Sequence, residues 1–357
     1  MNSTNDEGDI MSNLLREIVE INGSDLHIDP YEDNSIVRVR ICGILRELKS
    51  FTLDEHKNLL ARIKAVSGMR LDGFHAQDGR LTRTVDSRRF DLRISILPSY
   101  FGESAVLRIT EQSKNLKTLF ELGYSKEQEE ILKKIVTGGG MVLVTGPTGS
   151  GKTTTLYSLI QMIMTLEKSI ITLEDPVERI IKGIRQIQVN TKNGLTFATG
   201  LRSILRQDPE IIMIGEIRDS ETAKIAVHSA MTGHLVLSTL HTRSVGEAHI
   251  RLIDMGADAY AVSASLKVVI SQRLARLEEN MKSGYERSFE NKGRLAVAEV
   301  MEVDNNIKKA IYERKSASSI EKILKDKGQK NIKDIINENV ENQKISKEEG
   351  ERIIRDI

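Results

Sequence analysis

A short glycine-rich segment constrains this chain more than any other feature. Residues 146–153 read Gly-Pro-Thr-Gly-Ser-Gly-Lys-Thr and fit the pattern G-x-x-x-x-G-K-[ST] at every fixed position. An apolar run, residues 141–144, comes directly before the segment, and a helical pattern, residues 154–164, follows it. A strand, a glycine loop and a helix N-terminus in this order bind phosphate, because backbone N–H groups and the helix dipole converge there. The sequence therefore predicts a nucleotide-binding α/β fold.

The residues of this loop have separate predicted roles. Lys152 is expected to reach the β- and γ-phosphates of a nucleotide, and the Thr153 hydroxyl is expected to ligate Mg²⁺. The residues predicted to bind the nucleotide are Gly146, Pro147, Thr148, Gly149, Ser150, Gly151, Lys152, Thr153 and Thr154. The complete match and the correct flanking segments argue against an accidental glycine-rich turn.

Composition limits the class of protein. With 357 residues, 39% hydrophobic and 29% charged, the chain is long enough for two globular domains. The formal net charge of +1 gives no overall field that would attract nucleic acid or an anionic membrane. The polar, acidic residues 1–10 do not resemble a signal peptide, and no apolar run is long enough to span a membrane. Cys42, the single cysteine, cannot form an intrachain disulfide, so a cytoplasmic protein is expected.

Changes in pattern along the chain predict its domains. The predicted parts are a disordered N-terminus (residues 1–10), a small α+β domain (11–110), a linker (111–118), a nucleotide-binding core (119–277) and a mostly helical subdomain (278–357). In the first domain, Thr52-x-x-Glu55 predicts a capped helix. Asp86-Ser87 predicts a hairpin turn, and the second strand of that hairpin is expected to end before Pro98.

The core is predicted to hold a mainly parallel sheet. Apolar strands are expected at residues 141–145, 169–174, 211–215 and 235–239, and helices at 153–166, 197–206 and 220–231. Strands that alternate with helices in this way are typical of a parallel sheet covered by helices on both faces. Ser244-x-x-Glu247 predicts a capping box for one further helix.

Two clusters of acidic residues follow neighbouring strands of the predicted sheet. Glu174 and Glu178 lie after the strand at 169–174, and Glu216 lies after the strand at 211–215. An acidic cluster alone is more often a cap or a surface feature, but two at strand ends downstream of a phosphate loop indicate a site. Glu216 is expected to position an attacking water. Because Gly215 stands where many phosphate-loop enzymes keep a magnesium-binding Asp, Glu174 or Glu178 is expected to help hold Mg²⁺.

Histidines flank the last predicted strand of the core. His234 precedes it and His241 follows it, so the pair is separated by roughly 23 Å and is not expected to share a metal. A structural role is an equal alternative for His234. His241 is expected at the carboxyl edge of the sheet, where it could sense the γ-phosphate.

These segments together resemble the secretion-superfamily ATPases, the GspE/PilB-type motors of type II secretion, type IV pilus assembly and competence pseudopili. The resemblance covers residues 20 to 350, about the whole chain. The matching segments are Glu174–Glu178 (the Asp box), Gly215–Asp219 (an atypical Walker B motif), Thr232–Thr242 (the His box) and Gly23–Pro30 (the signature of the PAS-like amino-terminal domain).

The resemblance implies an architecture and a set of partners. It implies a RecA-like ATPase core, preceded by a PAS-like domain and followed by a small helical subdomain, that binds ATP and Mg²⁺. It implies a cytoplasmic homo-hexamer that reaches the inner membrane only through a platform protein and does not bind nucleic acid. Arg80 and Arg93 match arginines that an adjacent subunit presents to the nucleotide, and Arg202 and Arg206 match a second pair in the motor domain.

Some departures from the family pattern indicate which branch of the family this chain resembles, whether assembly, competence or retraction. No cysteine lies between Glu278 and Lys292, where many members carry a four-cysteine zinc site, so no zinc is expected there. The A-I-R-N-L-I-R-E helix of retraction ATPases is not found between Ile307 and Ile357, and Ile217 replaces their Walker B methionine. Members without zinc resemble competence and retraction ATPases, whereas the missing helix and Ile217 favour the assembly or competence branch.

Other functions remain alternatives at this point. A pilus retraction ATPase would share the same core. A RecA-like nucleic-acid translocase is disfavoured by the aromatic content of 4%, the lack of Trp and the lack of a basic stripe. A nucleotide-dependent scaffold without hydrolysis is disfavoured by the presence of Glu216.

Overall fold

The structure is a computed structural model that describes residues 10–72, 75–111, 116–278 and 293–357. It divides into two compact units, the first containing described residues 10–111 and the second containing 116–278 and 294–357. Residues 1–9 of the predicted disordered N-terminus and residues 112–115 of the predicted linker lie outside the described residues. Ile10 begins a helix, and Glu111 ends a strand. The segment expected to lack zinc also lies outside them, apart from Glu278.

The first unit is an antiparallel sheet with two helices. The helices are α1 (Ile10–Glu20) and α2 (Leu53–Val66); the strands are β1 (Asp25–Pro30), β2 (Ser35–Ile41), β3 (Ile44–Phe51), β4 (Gln77–Val85), β5 (Arg88–Ser99) and β6 (Gly102–Glu111). The strand order is β3-β2-β1-β6-β5-β4, and each described pairing is antiparallel. Apolar residues of both helices, Ile18 and Ile63 among them, pack with Val37 and Leu92 from the strands.

Local signals of the first unit are mostly confirmed. Glu55 donates its backbone N–H to Thr52 Oγ1 at 3.2 Å, and its side chain accepts the Thr52 N–H at 2.8 Å, so the capping box forms. Asp86 and Ser87 make the hairpin turn with φ of 46° and 62°, as a type I′ turn requires. The predicted end before Pro98 is wrong, since β5 continues to Ser99. The facing strand β4 begins with Gln77 opposite Ile96, so no β4 residue lies opposite Pro98 to require the N–H that proline lacks.

The second unit contains a larger, mainly parallel sheet. Its strands are β7 (Gly140–Thr145), β8 (Ile170–Glu174), β9 (Arg185–Gln188), β10 (Ile211–Ile214), β11 (Leu235–Leu240), β12 (Leu266–Arg276) and β13 (Arg294–Glu302). They lie in the order β13-β12-β7-β11-β10-β8-β9. Pairing is parallel from β12 to β9, and β13 is antiparallel to β12.

Helices cover both faces of this sheet. They are α3 (Leu119–Leu122), α4 (Lys126–Ile135), α5 (Lys152–Ile163), α6 (Phe197–Ile204), α7 (Ser220–Met231), α8 (Ala248–Asp254), α9 (Ala259–Ser265), α10 (Asn305–Tyr312), α11 (Ala317–Asp326), α12 (Ile332–Glu341) and α13 (Lys347–Arg355). Along β7, Met141 and Leu143 pack with α6 and α7, and Val142 and Val144 pack with α4 and α5. Full burial of each aliphatic side chain stabilises the fold by about 1.5–3 kcal/mol. No helix in the described residues is long and apolar enough to cross a membrane.

Three sequence-based expectations need correction. Strand β12 was not predicted, because its buried polar residues Ser271, Gln272 and Arg273 interrupt the apolar run. Strand β13 lies in the segment predicted to be mostly helical, although four helices follow it.

The third correction concerns the predicted capping box at Ser244. Glu247 instead accepts the backbone N–H of Arg243 at 2.8 Å, and Ser244 makes no side-chain cap bond. A 3₁₀ turn, Val245–Glu247, therefore comes before α8.

Candidate nucleotide-binding site

The phosphate loop joins β7 to α5 at the carboxyl edge of the parallel sheet. Gly146, Gly149 and Gly151 have φ of 144°, 79° and 85°, in the left-handed region that glycine tolerates best. A Cβ at Gly146 would lie 2.4 Å from the Gln272 carbonyl oxygen, so no side chain fits there. The loop is thus built for close backbone approach, and α5 directs its N-terminus to the same place.

The polar groups of the loop fit a phosphate ligand. Lys152 is only 9% exposed, and its Nζ donates to the carbonyls of Gly146 and Pro147, each at 2.9 Å. Burial lowers the Lys152 pKa, the charge of Glu216 opposes that effect, and the charge of Arg273 adds to it. The Ser150 hydroxyl oxygen is buried with no hydrogen-bond partner among the described residues. A nucleotide phosphate would supply the anion that these donors lack.

Backbone contacts between neighbouring strands position Glu216. Gly215 donates its N–H to the Leu173 carbonyl at 2.8 Å, and its own carbonyl accepts the Thr239 hydroxyl at 2.7 Å. Ile217 donates its N–H to the Thr239 carbonyl at 3.1 Å. The residue between these two anchored positions, Glu216, therefore stands at a fixed point of the sheet edge.

Two basic side chains lie beside the Glu216 carboxylate. Arg218 Nε lies 2.6 Å from its Oε2, and His241 Nε2 lies 3.6 Å from the same oxygen. The pKa of Arg218 is raised by its hydrogen bond to Glu216. Burial, and then the charge of Lys152, lower the pKa of His241, which favours a neutral imidazole near pH 7. Lys152, Glu216 and His241 are thus brought together at one edge of the sheet.

Glu174 lies in a different environment from Glu216. It is 2% exposed at the end of β8. Its Oε2 accepts the Tyr157 hydroxyl, and its Oε1 accepts the Thr172 hydroxyl at 2.5 Å and the Gln186 amide at 3.1 Å. Three donors of the chain therefore occupy this carboxylate. Glu178, in contrast, is exposed in the loop after β8.

His234 is not brought to the phosphate loop. It precedes β11 at the amino edge of the sheet, opposite the edge that carries His241. Its Nδ1 lies 3.0 Å from the Ser229 carbonyl oxygen, and it lines a cavity of about 320 Å³ together with Lys168 and Glu210. This placement fits a structural role in the same chain better than contact with the nucleotide.

Arg202 lies on the exposed face of α6, and Arg206 lies in the exposed turn just after that helix. Arg202 forms an ion pair with Glu221 of α7. Arg206 donates to the Arg202 carbonyl at 3.0 Å and to the Ser203 hydroxyl at 3.3 Å. These contacts are within and between the two helices, so the structure of one chain does not join this pair to the phosphate loop.

Arg80 and Arg93 are neighbours in the first unit. They lie directly opposite each other on β4 and β5. Both lie beside the buried carboxylate of Asp91, with Arg80 Nε at 2.8 Å from Oδ1 and Arg93 Nε at 4.0 Å from Oδ2. The structure therefore brings together the two arginines that were predicted as a pair, and adds Asp91 to them.

The residues that sequence reasoning missed come from β12 and α5. Arg273 is 4% exposed beside the phosphate loop and donates to the carbonyls of Gln272 at 3.0 Å and Arg243 at 2.9 Å. In the described part of the chain its buried Nε has no hydrogen-bond partner, and burial lowers its pKa. Tyr157 was also missed. The available signal was the polar triplet 271–273 inside an apolar run.

The mainly parallel sheet and its phosphate loop define this protein as a P-loop nucleotide-binding protein of the RecA-like class, preceded by an α+β domain. The chain belongs to the family described as "Type II/IV secretion system protein", whose model matches residues 6–352. The family expected from the sequence motifs is therefore confirmed.

Curated relatives agree with this family. The "Putative type II secretion system protein E" of Escherichia coli (strain K12) is 45% identical over 271 residues, which cover 75% of this chain and 55% of the relative. The "Type IV pilus assembly ATPase PilB" of Thermus thermophilus is 39% identical over 356 residues, covering 90% of this chain and 40% of the relative. The chain thus spans about half the length of these relatives.

Solved structures share the fold. The Legionella pneumophila ATPase DotB has a TM-score of 0.79 at 23% identity, over 97% of this chain and 95% of that chain. The pilus retraction motor PilT with bound ADP has a TM-score of 0.69 at 26% identity, over 95% of each chain. At 23% identity, the similarity to DotB supports the fold alone.

Proposed function

We propose that this protein is a hexameric ATPase motor that powers assembly of a type IV pilus, a competence pseudopilus or a type II secretion pseudopilus. The observation that carries the proposal is the convergence of Lys152, Glu216 and His241 beside a glycine loop at one edge of the sheet. The motor acts in the cytoplasm and reaches the inner membrane through a platform protein. The names of the curated relatives support a role in type II secretion or in type IV pilus assembly.

The chemical step in this proposal is hydrolysis of the γ-phosphate. Water adds to the γ-phosphorus, the bond to the bridging oxygen breaks, and ADP and phosphate leave. The Glu216 carboxylate orients that water and accepts its proton, while Lys152 compensates the charge that develops on the phosphate oxygens. His241 reports on the γ-phosphate, because a neutral imidazole beside Glu216 can donate to a phosphate oxygen or lose that contact after hydrolysis.

The residues present fit a magnesium ion only in combination with the nucleotide. No group of three or more acidic, His or Cys side chains in the described residues could hold a metal alone. Thr153 and either Glu174 or Glu178 would hold Mg²⁺ beside the phosphates of ATP. The ion, when bound, supplies charge compensation to the phosphate oxygens. Chain donors already occupy the oxygens of the buried Glu174, whereas Glu178 is exposed to solvent.

Arginines from a neighbouring subunit complete the site in this proposal. Arg80 and Arg93 lie side by side with Asp91 between them, which suits two guanidinium groups that approach one anion. Arg202 on α6 and Arg206 in the turn after it form the second pair, and both are exposed. A guanidinium supplied across a subunit boundary stabilises transition-state charge and couples hydrolysis to the ring.

Assembly is preferred to retraction as the direction of work. The curated relatives that share 39–45% identity carry secretion or assembly names. Retraction is the second candidate, because the PilT retraction motor shares the fold over nearly its full length at 26% identity. Within the assembly group we favour the competence branch, because residues 278–292 contain no zinc-binding cysteines.

Two measurements test the proposal. Phosphate release by the wild-type chain with Mg-ATP tests hydrolysis. Light scattering of Glu216→Gln with Mg-ATP tests the ring, since six chains of 40.0 kDa give a particle near 240 kDa. A wild-type chain that releases no phosphate and binds no ATP would refute the motor.

A third measurement tests the arginines in trans. Arg93→Ala is expected to leave ATP affinity nearly unchanged and to lower turnover in the assembled ring. Arg46→Ala is the control, because Arg46 is an exposed arginine on β3 at the opposite edge of the same sheet. If Arg93→Ala slows the isolated chain and the ring equally, the residue does not act across a subunit boundary.

A further inference from the structure

We propose that Gln272 and Tyr124 form a buried polar anchor that positions the phosphate loop for ATP. The proposal rests on the proposed function, because it requires that the loop binds a nucleotide. It assigns a positioning role to two side chains that lie behind the loop, on the side of the sheet core. It also connects the loop to the segment by which the chain enters its second unit.

Gln272 makes a complete set of contacts behind the loop. It is 1% exposed on β12, and its Nε2 donates to the Ser150 carbonyl at 2.6 Å. Its Oε1 accepts the Tyr124 hydroxyl at 2.6 Å and the Thr155 hydroxyl at 2.7 Å. Two donors on one side of the amide and an acceptor on the other fix its orientation. The amide therefore joins the loop, the first turn of α5 and Tyr124 in one network.

The bond to Ser150 determines the direction of the next peptide N–H. A trans peptide is planar, and its C=O and N–H point in opposite directions. Holding the Ser150 carbonyl toward Gln272 therefore directs the Gly151 N–H away from β12, to the open side of the loop. A Cβ at Gly151 would lie 2.9 Å from Gln272 Nε2, so the contact requires glycine at that position. Gln272 thus presets one donor of the phosphate-binding loop without touching the nucleotide.

Tyr124 brings a second segment into the network. Its hydroxyl is fully buried, and burial raises its pKa, so the phenol remains a donor at all working pH values. The segment that ends at Tyr124 also bonds to α5, where the Ser158 hydroxyl donates to the Lys117 carbonyl at 2.7 Å. Two hydrogen bonds therefore fasten this segment, one to Gln272 of β12 and one to Ser158 of α5.

In this arrangement, movement of the segment that contains Tyr124 would change the geometry of the phosphate loop. The described segment 116–124 is the part of the second unit that follows the first unit along the chain. A displacement of this segment would move the Tyr124 hydroxyl away from Gln272 and leave buried polar groups without partners, which is unfavourable. The geometry of the phosphate loop therefore depends on where this segment lies.

Binding of Mg-ATP by matched variants tests the anchor. Tyr124→Phe removes one hydroxyl, and Gln272→Leu removes the whole amide. We expect dissociation constants to rise roughly three- to tenfold for Tyr124→Phe and about tenfold or more for Gln272→Leu, with a smaller change in kcat than in KM. Gln329→Leu is the control, because Gln329 also donates to a strand carbonyl, that of Val300 at 3.0 Å, but on β13.

A third variant separates positioning from packing. Gln272→Glu keeps the shape of the side chain, and a protonated carboxyl can still donate to the Ser150 carbonyl, whereas the ionised form has no donor. Burial favours the protonated form, so affinity is expected to be near that of the wild type at low pH and to fall as pH rises. The ratio of wild-type to variant affinity at each pH isolates this effect from other titrating groups.

The outcomes are distinguishable. Wild-type ATP affinity in Gln272→Leu and Tyr124→Phe, with only the melting temperature lowered as in Gln329→Leu, would overturn the anchor. A pH-independent affinity ratio for Gln272→Glu would also overturn it, and this variant serves if Gln272→Leu does not fold. Failure of the wild-type chain to bind Mg-ATP would instead refute the proposed function.

Discussion

Two acidic side chains at neighbouring strand ends have opposite environments. Glu174, after β8, is buried and accepts hydrogen bonds from Tyr157, Thr172 and Gln186. Glu216, after β10, is partly exposed and lies beside Arg218 and His241. The strands are hydrogen-bonded neighbours in parallel register, so the difference does not come from position along the sheet.

The comparison shows how one sheet edge gives two carboxylates different tasks. A carboxylate whose oxygens all accept bonds from the chain holds its donors in place. A carboxylate beside cations and solvent can exchange those contacts for water and phosphate. We therefore expect Glu216 to carry the chemistry and Glu174 to stabilise the architecture of the site, chiefly through Tyr157 of α5.

The largest predicted effect is on turnover. Glu216→Gln is expected to hydrolyse ATP at under about 1% of the wild-type rate, because loss of a positioned catalytic group costs roughly 10²–10⁴-fold. ATP affinity is expected to change little, as measured by equilibrium binding. Glu210→Gln is the control at the other end of β10, where Glu210 accepts the Ser169 N–H at 3.1 Å. Turnover of Glu216→Gln close to normal would assign the base to another acid.

The second prediction concerns another buried carboxyl group of the same sheet, that of Glu299. Glu299 on β13 accepts the Ile332 N–H at 3.2 Å, and burial raises its pKa from 4.5 to about 7. Since the folded state retains this proton longer than the unfolded state, the free energy of unfolding should fall as pH rises from 4.5 to about 7. The loss should approach 3 kcal/mol, since each pKa unit is worth about 1.4 kcal/mol.

Urea unfolding of the wild type and of one variant across this pH range checks that prediction. Glu299→Gln should remove this part of the pH dependence. Glu349 gives the opposite sign, because its hydrogen bonds to Arg352 and the Arg276 N–H lower its pKa even though burial alone would raise it. Its stabilisation is present above the unfolded pKa and is lost as pH falls. An unchanged slope in Glu299→Gln would show that this carboxyl does not titrate in the window.

The third prediction concerns the stability of the Glu174 network. Glu174→Gln places an amide N–H₂ among three donors, so we expect the free energy of unfolding to fall by about 1–3 kcal/mol. Chemical denaturation of this variant and of Glu216→Gln, side by side, measures the contrast. Tyr157→Phe should reproduce part of the loss. Equal stability of the Glu174 and Glu216 variants would contradict the division of tasks.

The smallest prediction concerns the ion pair of Glu216. Arg218 is exposed, and exposed pairs contribute only about 0.2–1 kcal/mol. Arg218→Ala should therefore change kcat by less than about fivefold, and added salt should reduce the difference. A loss as large as that of Glu216→Gln would place Arg218 among the catalytic residues.

Local patterns in the sequence could predict much of this site. The phosphate loop, its flanking strand and helix, and Glu216 at the end of β10 all follow from short segments and from the rule that parallel strands end at one edge. The turn at Asp86 and the cap at Thr52 were equally predictable, because their chemistry lies within four residues.

Other parts depend on contacts between distant residues. The bond from Gln272 to Ser150 joins positions 122 residues apart, so β12 looked like an apolar run broken by polar residues. The burial of Glu174 depends on Tyr157 and Gln186, which come from other elements. His234 and His241 stand in one sequence motif, yet the strand between them places them at opposite edges of the sheet.

The hairpin of β12 and β13 has a practical consequence for variation and engineering. The two strands stay in antiparallel register from Val268 opposite Glu302 to Arg276 opposite Arg294, so their pairing does not depend on the chain between them. Closing a longer connection costs only about 0.6 kcal/mol for each doubling of its length. We therefore expect a longer connection at this point to leave the sheet intact. The same connection is a suitable place to insert a fluorescent reporter or an affinity tag into this protein.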